Sequence, residues 1–445
     1  MPLLPMTKRF LLFSALVLLF VSGTTAQDTD DEEIVTDITE DTTDIVPQVP
    51  MSWDESLRFR LDSMLARHRT ATVTVRTRKP VRRGRRRRRS YVYTTRRKTI
   101  TLRDRIGIAV WDLTADSMLY THNSRELYIP ASNQKIFVAV AALDDLGMSY
   151  HFKTDIRTDM WLCRDTDDHE YAKGKIYIHD HFDPTLDKEA AEYIAQKLLG
   201  IDVDSIDGEV VSYVPLRQRM PEMGWFWNRH ASRSIAQNVV AQLKDDGISF
   251  RDKTPYSTVS SPLDSIGELY TSLATPLPVV LKRMMKNSDN AYAESVLLSL
   301  VRQDNTWSYE ACKERVRDVI RKAGANISDY IIHDGSGLSH GNRTTPEVLV
   351  AVLRYAYNNP KIYRPLLESM PQAGLDGTLG RRMRNTLAHG NVRAKTGTVN
   401  GVSTLSGYLK AQNGHLLAFS ILMNDISGNH SAHALQNILC VEMCR

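Results

Sequence analysis

The sequence has little that would hold a metal, a nucleotide or a lipid bilayer. Its 13 histidines form no His-Glu-x-x-His pattern, and the close pair His179 and His181 alternates on a stretch that reads as a strand. No Walker or dinucleotide-type glycine loop is present, so neither a metal nor a cofactor is expected. Only four cysteines occur (Cys163, Cys312, Cys440 and Cys444), which permit a disulfide without requiring one and fall short of a zinc site. Beyond residue 26 no apolar run approaches the roughly 20 residues a membrane helix needs. An excess of one charge is also missing from most of the chain. Bases outnumber acids 57 to 52, but the imbalance is segregated. Residues 28–44 carry nine acids and no base; residues 76–98 carry thirteen bases and no acid, including Arg85 to Arg89. The remainder is close to neutral, which argues against a globally basic nucleic-acid-binding fold. A hydrophobic content of 42% supports a real core and excludes a wholly disordered chain.

What is present divides the chain. Lys8 and Arg9, the apolar stretch Phe10 to Val21 and the small residues Thr24-Thr25-Ala26 read as a secretory signal peptide over 1–26, which predicts export to the periplasm. Residues 27–50, acidic and Thr-rich, read as a disordered tether. Trp53, Leu57, Leu61 and Leu65 recur at helical spacing and predict an amphipathic helix over 53–68. The basic tract 76–98 is flanked by alternating Val and Tyr residues. It reads either as a hairpin with an arginine-rich tip or as a disordered insertion, either solvated or meeting an anionic polymer or lipid surface. The main domain is expected over 51–149 and 256–445, with an inserted α/β module over 150–255. A central antiparallel sheet with helices on both faces fits the order of strands and helices.

Three short motifs carry chemistry. Ser132-Asn133-Gln134-Lys135 opens a predicted helix; a serine and a lysine three apart share a face, and a lysine of depressed pKa can take the hydroxyl proton. Ser288-Asp289-Asn290 interrupts a helical pattern, where Ser288 and Asn290 could face one cleft; by itself it also reads as an ordinary cap or turn. Lys395-Thr396-Gly397-Thr398 sits on a predicted strand, where glycine permits close backbone approach and lysine and threonine suit a carboxylate. Each is weak alone. Their order, with Ser288 156 residues after Ser132 and Lys395 107 after Ser288, is that of the penicillin-recognising serine enzymes.

With the segments FDPTLD, KNSDNAYAE, DGSGLSHGNRTTP, GLDGTLGRR and VRAKTGTVNGVSTLSGYL, residues 104–430 resemble the D-alanyl-D-alanine carboxypeptidase/endopeptidase family of class C penicillin-binding proteins. The resemblance implies the α/β (α+β) penicillin-recognising serine transferase fold. It implies Ser132 as the acylated nucleophile, Lys135 as its general base, and Ser288 and Asn290 as proton relay and substrate contacts. It further implies Lys395 and Thr396 on the terminal carboxylate, with the Ser132 and Thr398 N–H groups as oxyanion hole. The implied partners are peptidoglycan stem peptides and β-lactams. One position departs: the family's aspartate after a segment matched by Gly224 to Asn228 is Arg229 here, which reverses the charge toward a substrate amine. The resemblance also implies that DGSGLS, Asp334 to Ser339, lies near the cleft; taken alone it is a glycine-rich turn between a strand and a helix, and a structural role is favoured. A β-lactamase lacks support, since no deacylating Glu-x-x-Leu-Asn segment is found. A wall-binding protein with an idle site remains the contrasting reading.

Overall fold

The computed structural model describes residues 31–38, 51–67, 70–81, 90–101, 105–213, 234–259, 263, 266–301, 307–426 and 429–445. The signal peptide, Arg85 to Arg89 and Arg229 lie outside the described residues.

The central sheet is antiparallel throughout, in the order Arg393–Val399, Val402–Lys410, Leu416–Asn424, Ile106–Asp112 and Ser117–His122. Alternation along its strands explains how it is covered. Ala418 and Leu422 face one hydrophobic cluster, built with helices Gln134–Asp145, Leu277–Lys286, Asn290–Leu298, Tyr309–Lys322, Pro346–Tyr357 and Pro360–Ser369. Leu417, Phe419, Ile421 and Met423 face the other, closed by helices Trp53–Arg67 and Asn429–Met443. Helix Gln134–Asp145 is buried along ten consecutive residues, Gln134 to Leu143. From Ile136 to Leu143 it is apolar on all sides, because it runs through the core rather than over it.

The chain leaves this domain at His151 and returns at Pro276. The intervening stretch builds a five-stranded sheet ordered Tyr256–Val259, Val210–Tyr213, Ile176–Asp180, His151–Thr158 and Glu268–Pro276, together with a smaller four-stranded sheet. Helices Lys188–Leu198 and Ile235–Asp245 cover it through Ile194, Leu198, Val239 and Leu243. The module therefore runs past the expected boundary at 255. Tyr256–Val259 pairs in parallel with Val210–Tyr213, and Glu268–Pro276 pairs with the first strand, His151–Thr158. Such long-range pairings leave no local mark in the sequence.

In the described residues of the basic tract and its flanks, Thr70–Val81 and Ser90–Thr101 pair antiparallel in unbroken register, and residues 82–89 between them lie outside the described residues. The acidic segment expected to be disordered contains a strand, Asp31–Ile38, paired antiparallel along Thr70–Val81 with Glu32 opposite Arg76. Its Ile34, Val35, Thr36 and Ile38 are strand-forming residues, and the acidic composition concealed them.

Candidate active site

Ser132 sits in the 3-10 turn Ala131–Asn133, directly before helix Gln134–Asp145. The turn is pinned to the sheet. The Thr404 hydroxyl donates to the Pro130 carbonyl (2.9 Å) and Asn133 Nδ2 donates to Ser406 Oγ (2.7 Å). Ala131 is held at φ +47, a conformation that non-glycine residues rarely adopt and that clusters at functional sites. Lys135, one turn along, is completely buried. Its Nζ donates to Ser132 Oγ (3.1 Å), Asn290 Oδ1 (2.7 Å) and the Ser336 carbonyl (2.6 Å). Burial pushes its pKa down to about 8, against the opposing pull of Glu294, Asp334 and Asp289. A lysine at that value presents a substantial neutral fraction near physiological pH, and the neutral amine can accept the proton of the hydroxyl it now donates to.

Ser288-Asp289-Asn290 joins helices Leu277–Lys286 and Asn290–Leu298, and its residues divide the work. Asp289 caps the second helix by accepting from the Ala291 and Tyr292 N–H groups (3.1 and 3.4 Å). Ser288, at φ +58, accepts from Lys395 Nζ (2.8 Å), while Asn290 turns to Lys135. Lys395 is also fully buried and donates a second bond to the Thr396 carbonyl (2.7 Å). Burial, then the positive charge of Lys135, holds its pKa well below the ordinary lysine value. Among the described residues no carboxylate is bonded to either buried lysine, which makes the site disposed toward an anion.

Strand Arg393–Val399 is an edge strand that lies against the Ser132 turn. A Cβ on Gly397 would stand 2.1 Å from Thr404 Oγ1 and 2.9 Å from the Ser132 nitrogen, so only glycine fits there. The next residue, Thr398, is exposed. Ser132, Lys135 and Asn290 are thus joined by direct hydrogen bonds, as are Ser288 and Lys395, and Thr396 and Thr398 follow on the strand that carries Lys395. A cleft of about 590 Å3 lined by Leu146, Tyr150, Asp155 and His181 lies past the other end of helix Gln134–Asp145 and includes none of them.

Glu294 has no role in the motif reading, and the DGSGLS turn, read there as structural, also borders the site. Glu294, fully buried, accepts from the Gly335 and Ser336 N–H groups (3.1 and 2.8 Å). Burial and the Asp334 carboxylate hold its pKa above the usual carboxylate range. Asp334 accepts from the Gly337 and Ser339 N–H groups (both 2.6 Å), closing the DGSGLS turn. Through that turn Ser336 presents its carbonyl to Lys135, so the turn is a wall of the site as well as a connection. Gly337 presses against the Ser132 turn: at φ +83, its Cβ would lie 1.8 Å from the Ala131 oxygen. The signal for Glu294 was available, because it stands four residues after Asn290 on one helix and shares its face.

This geometry coincides with what the chain is similar to. It matches the D-Ala-D-Ala carboxypeptidase 3 (S13) family over residues 97–237 and 218–441. It is 25% identical over 446 residues to a D-alanyl-D-alanine carboxypeptidase of Actinomadura sp., covering 76% of this chain and 80% of that one. The D-alanyl-D-alanine carboxypeptidase DacB of Haemophilus influenzae is 34% identical over 199 residues, 43% of this chain and 40% of that one. The crystal structure of penicillin-binding protein 4 from the same organism superposes with a TM-score of 0.62 at 21% identity, covering 76% of this chain and 96% of that one. With family similarity along more than half of its length and the serine–lysine arrangement in its core, the chain belongs to the D-Ala-D-Ala carboxypeptidase 3 (S13) family of serine peptidases.

Proposed function

We propose that this protein is a serine D,D-carboxypeptidase and endopeptidase acting on peptidoglycan stem peptides through an acyl-enzyme, and that β-lactams acylate the same serine. The observation that carries the reading is the 3.1 Å contact between Ser132 Oγ and the Nζ of a lysine with no exposure to solvent. In its neutral form Lys135 takes the Ser132 proton as Oγ attacks the carbonyl of the penultimate D-alanine. The N–H groups of Ser132 and Thr398 hold the oxyanion. Ser288, bonded to Lys395, passes a proton to the departing amine, and Asn290 fixes Lys135 and the substrate backbone. Lys395 and Thr396 hold the terminal carboxylate. Water then cleaves the ester with the same groups in reverse order.

Digestion of purified muropeptides followed by mass spectrometry tests the proposal. Wild type is expected to remove the terminal D-alanine and to open D-alanyl–diaminopimelyl crosslinks, and Ser132→Ala to do neither. Equal products from both proteins would overturn the assignment of Ser132, and no products from either would favour a wall-binding role.

No helix among the described residues is long and apolar enough to cross a membrane. We place the exported protein in the periplasm, with the basic hairpin meeting the anionic cell-wall or membrane surface; the charge run and the residue 1–26 pattern support this. Deleting residues 78–98 is then expected to abolish salt-sensitive co-sedimentation with wall sacculi. Unchanged sedimentation removes the surface-binding idea.

A further inference from the structure

Thr378 belongs to a turn, Gly377–Leu379, that no motif reading assigned a role. It is stitched to the helix end that precedes Ser288 and to the strand that carries Lys395. Lys286, two residues before Ser288, pairs with Asp376 and donates to the Met370 carbonyl (3.1 Å). Asp376 in turn accepts from the Gln372 N–H (2.9 Å). Gly377 sits at φ +55, and a Cβ there would stand 2.7 Å from the Lys286 carbonyl oxygen. On the other side, the Ala373 N–H donates to the Val392 carbonyl (2.9 Å) and the Ala394 N–H to the Pro371 carbonyl (3.1 Å), which binds the segment to the start of the Lys395 strand. The outcome is a hydroxyl held against a hydroxyl: Thr396 Oγ1 donates to Thr378 Oγ1 at 2.7 Å.

We infer that Thr378 is a positioning residue for recognition of the substrate's free carboxylate, acting through Thr396. The inference rests on the reading of Lys395 and Thr396 as the carboxylate-binding pair. A threonine hydroxyl has one hydrogen and two lone pairs, whereas a carboxylate only accepts. To bind the carboxylate, Thr396 must turn its hydrogen away from Thr378. Thr378 then donates its own hydrogen back, so the 2.7 Å contact persists with its direction reversed. Donating into Thr396 Oγ1 polarises that hydroxyl and strengthens its charge-assisted bond to the carboxylate. The pair also fixes the Thr396 rotamer before the substrate arrives.

The test compares acylation by benzylpenicillin with acylation by its methyl ester, which lacks the charge. Wild type is expected to prefer the free acid. Thr378→Val, which removes the hydroxyl at nearly constant volume, is expected to shrink that preference about five- to tenfold, the size of one such hydrogen bond. Thr378→Ser is expected to restore it to within about twofold, with all three proteins melting at the same temperature. A Val variant that keeps the full preference overturns the inference, as does an equal loss on both reagents, which marks damage to the turn. Wild type that is acylated but indifferent to the charge overturns the carboxylate assignment of Thr396 and the inference with it. Failure of wild type to be acylated at all removes the acyl-transfer reading itself.

Discussion

Lys135→Ala is expected to lower the second-order rate of acylation by benzylpenicillin by about a thousandfold or more, the loss typical of a general base. The variant loses the only amine bonded to Ser132 among the described residues, and it leaves Asn290 Oδ1 and the Ser336 carbonyl without the donor they share. The pH profile separates a base from a structural lysine. Burial lowers the Lys135 pKa to about 8, and only the neutral amine accepts a proton. In wild type the acylation rate should therefore climb about tenfold per pH unit below about 8 and level off above it. In Lys135→Ala the residual rate should lose that limb. Stopped-flow or quench measurements between pH 5 and pH 10 check both statements, and a limb that survives the substitution would assign the base elsewhere.

Glu294→Ala is expected to cost about 2–4 kcal/mol of folding stability, measured by chemical denaturation, and to reduce acylation further in whatever protein remains folded. The carboxylate is fully buried and accepts two backbone N–H bonds; alanine leaves both donors unpaired and opens a void beside them. The loosened turn carries the Ser336 carbonyl away from Lys135. Glu294→Gln distinguishes charge from packing. The charged glutamate raises the Lys135 pKa, so its neutral replacement should lower that pKa and move the ascending limb to lower pH. An unmoved limb would show that the electrostatic link between the two residues is absent.

The parts of the site that were legible in the sequence are those whose chemistry lies in side chains grouped within four residues. Ser132 and Lys135 meet because one helical turn brings them together. Ser288 and Asn290 diverge to two lysines because Asp289 ties off the helix between them. What Ser336 contributes is a backbone carbonyl, which any residue type could supply, so no sequence pattern announces it. Thr378 reaches Thr396 only after the chain has folded back, 18 residues away. The same distinction governs the fold. Strands Val402–Lys410 and Leu416–Asn424 and helix Pro346–Tyr357 follow local periodicity. Helix Pro360–Ser369 is masked in the sequence by its prolines, one at its start and another at Pro365; Pro360 fits the first turn, and the helix buries Ile362 and Leu366 against the core. The end of the inserted module and the acidic strand Asp31–Ile38 depend on partners distant in sequence.

The site at which a β-lactam attaches tests the role of Ser132 most directly. Wild-type protein treated with benzylpenicillin and digested with trypsin should gain the mass of one penicillin molecule, with fragmentation placing it on Ser132. Ser132→Ala should gain none. Attachment at another residue, or an equal gain in the alanine variant, would contradict the assignment of Ser132 as the acylated serine.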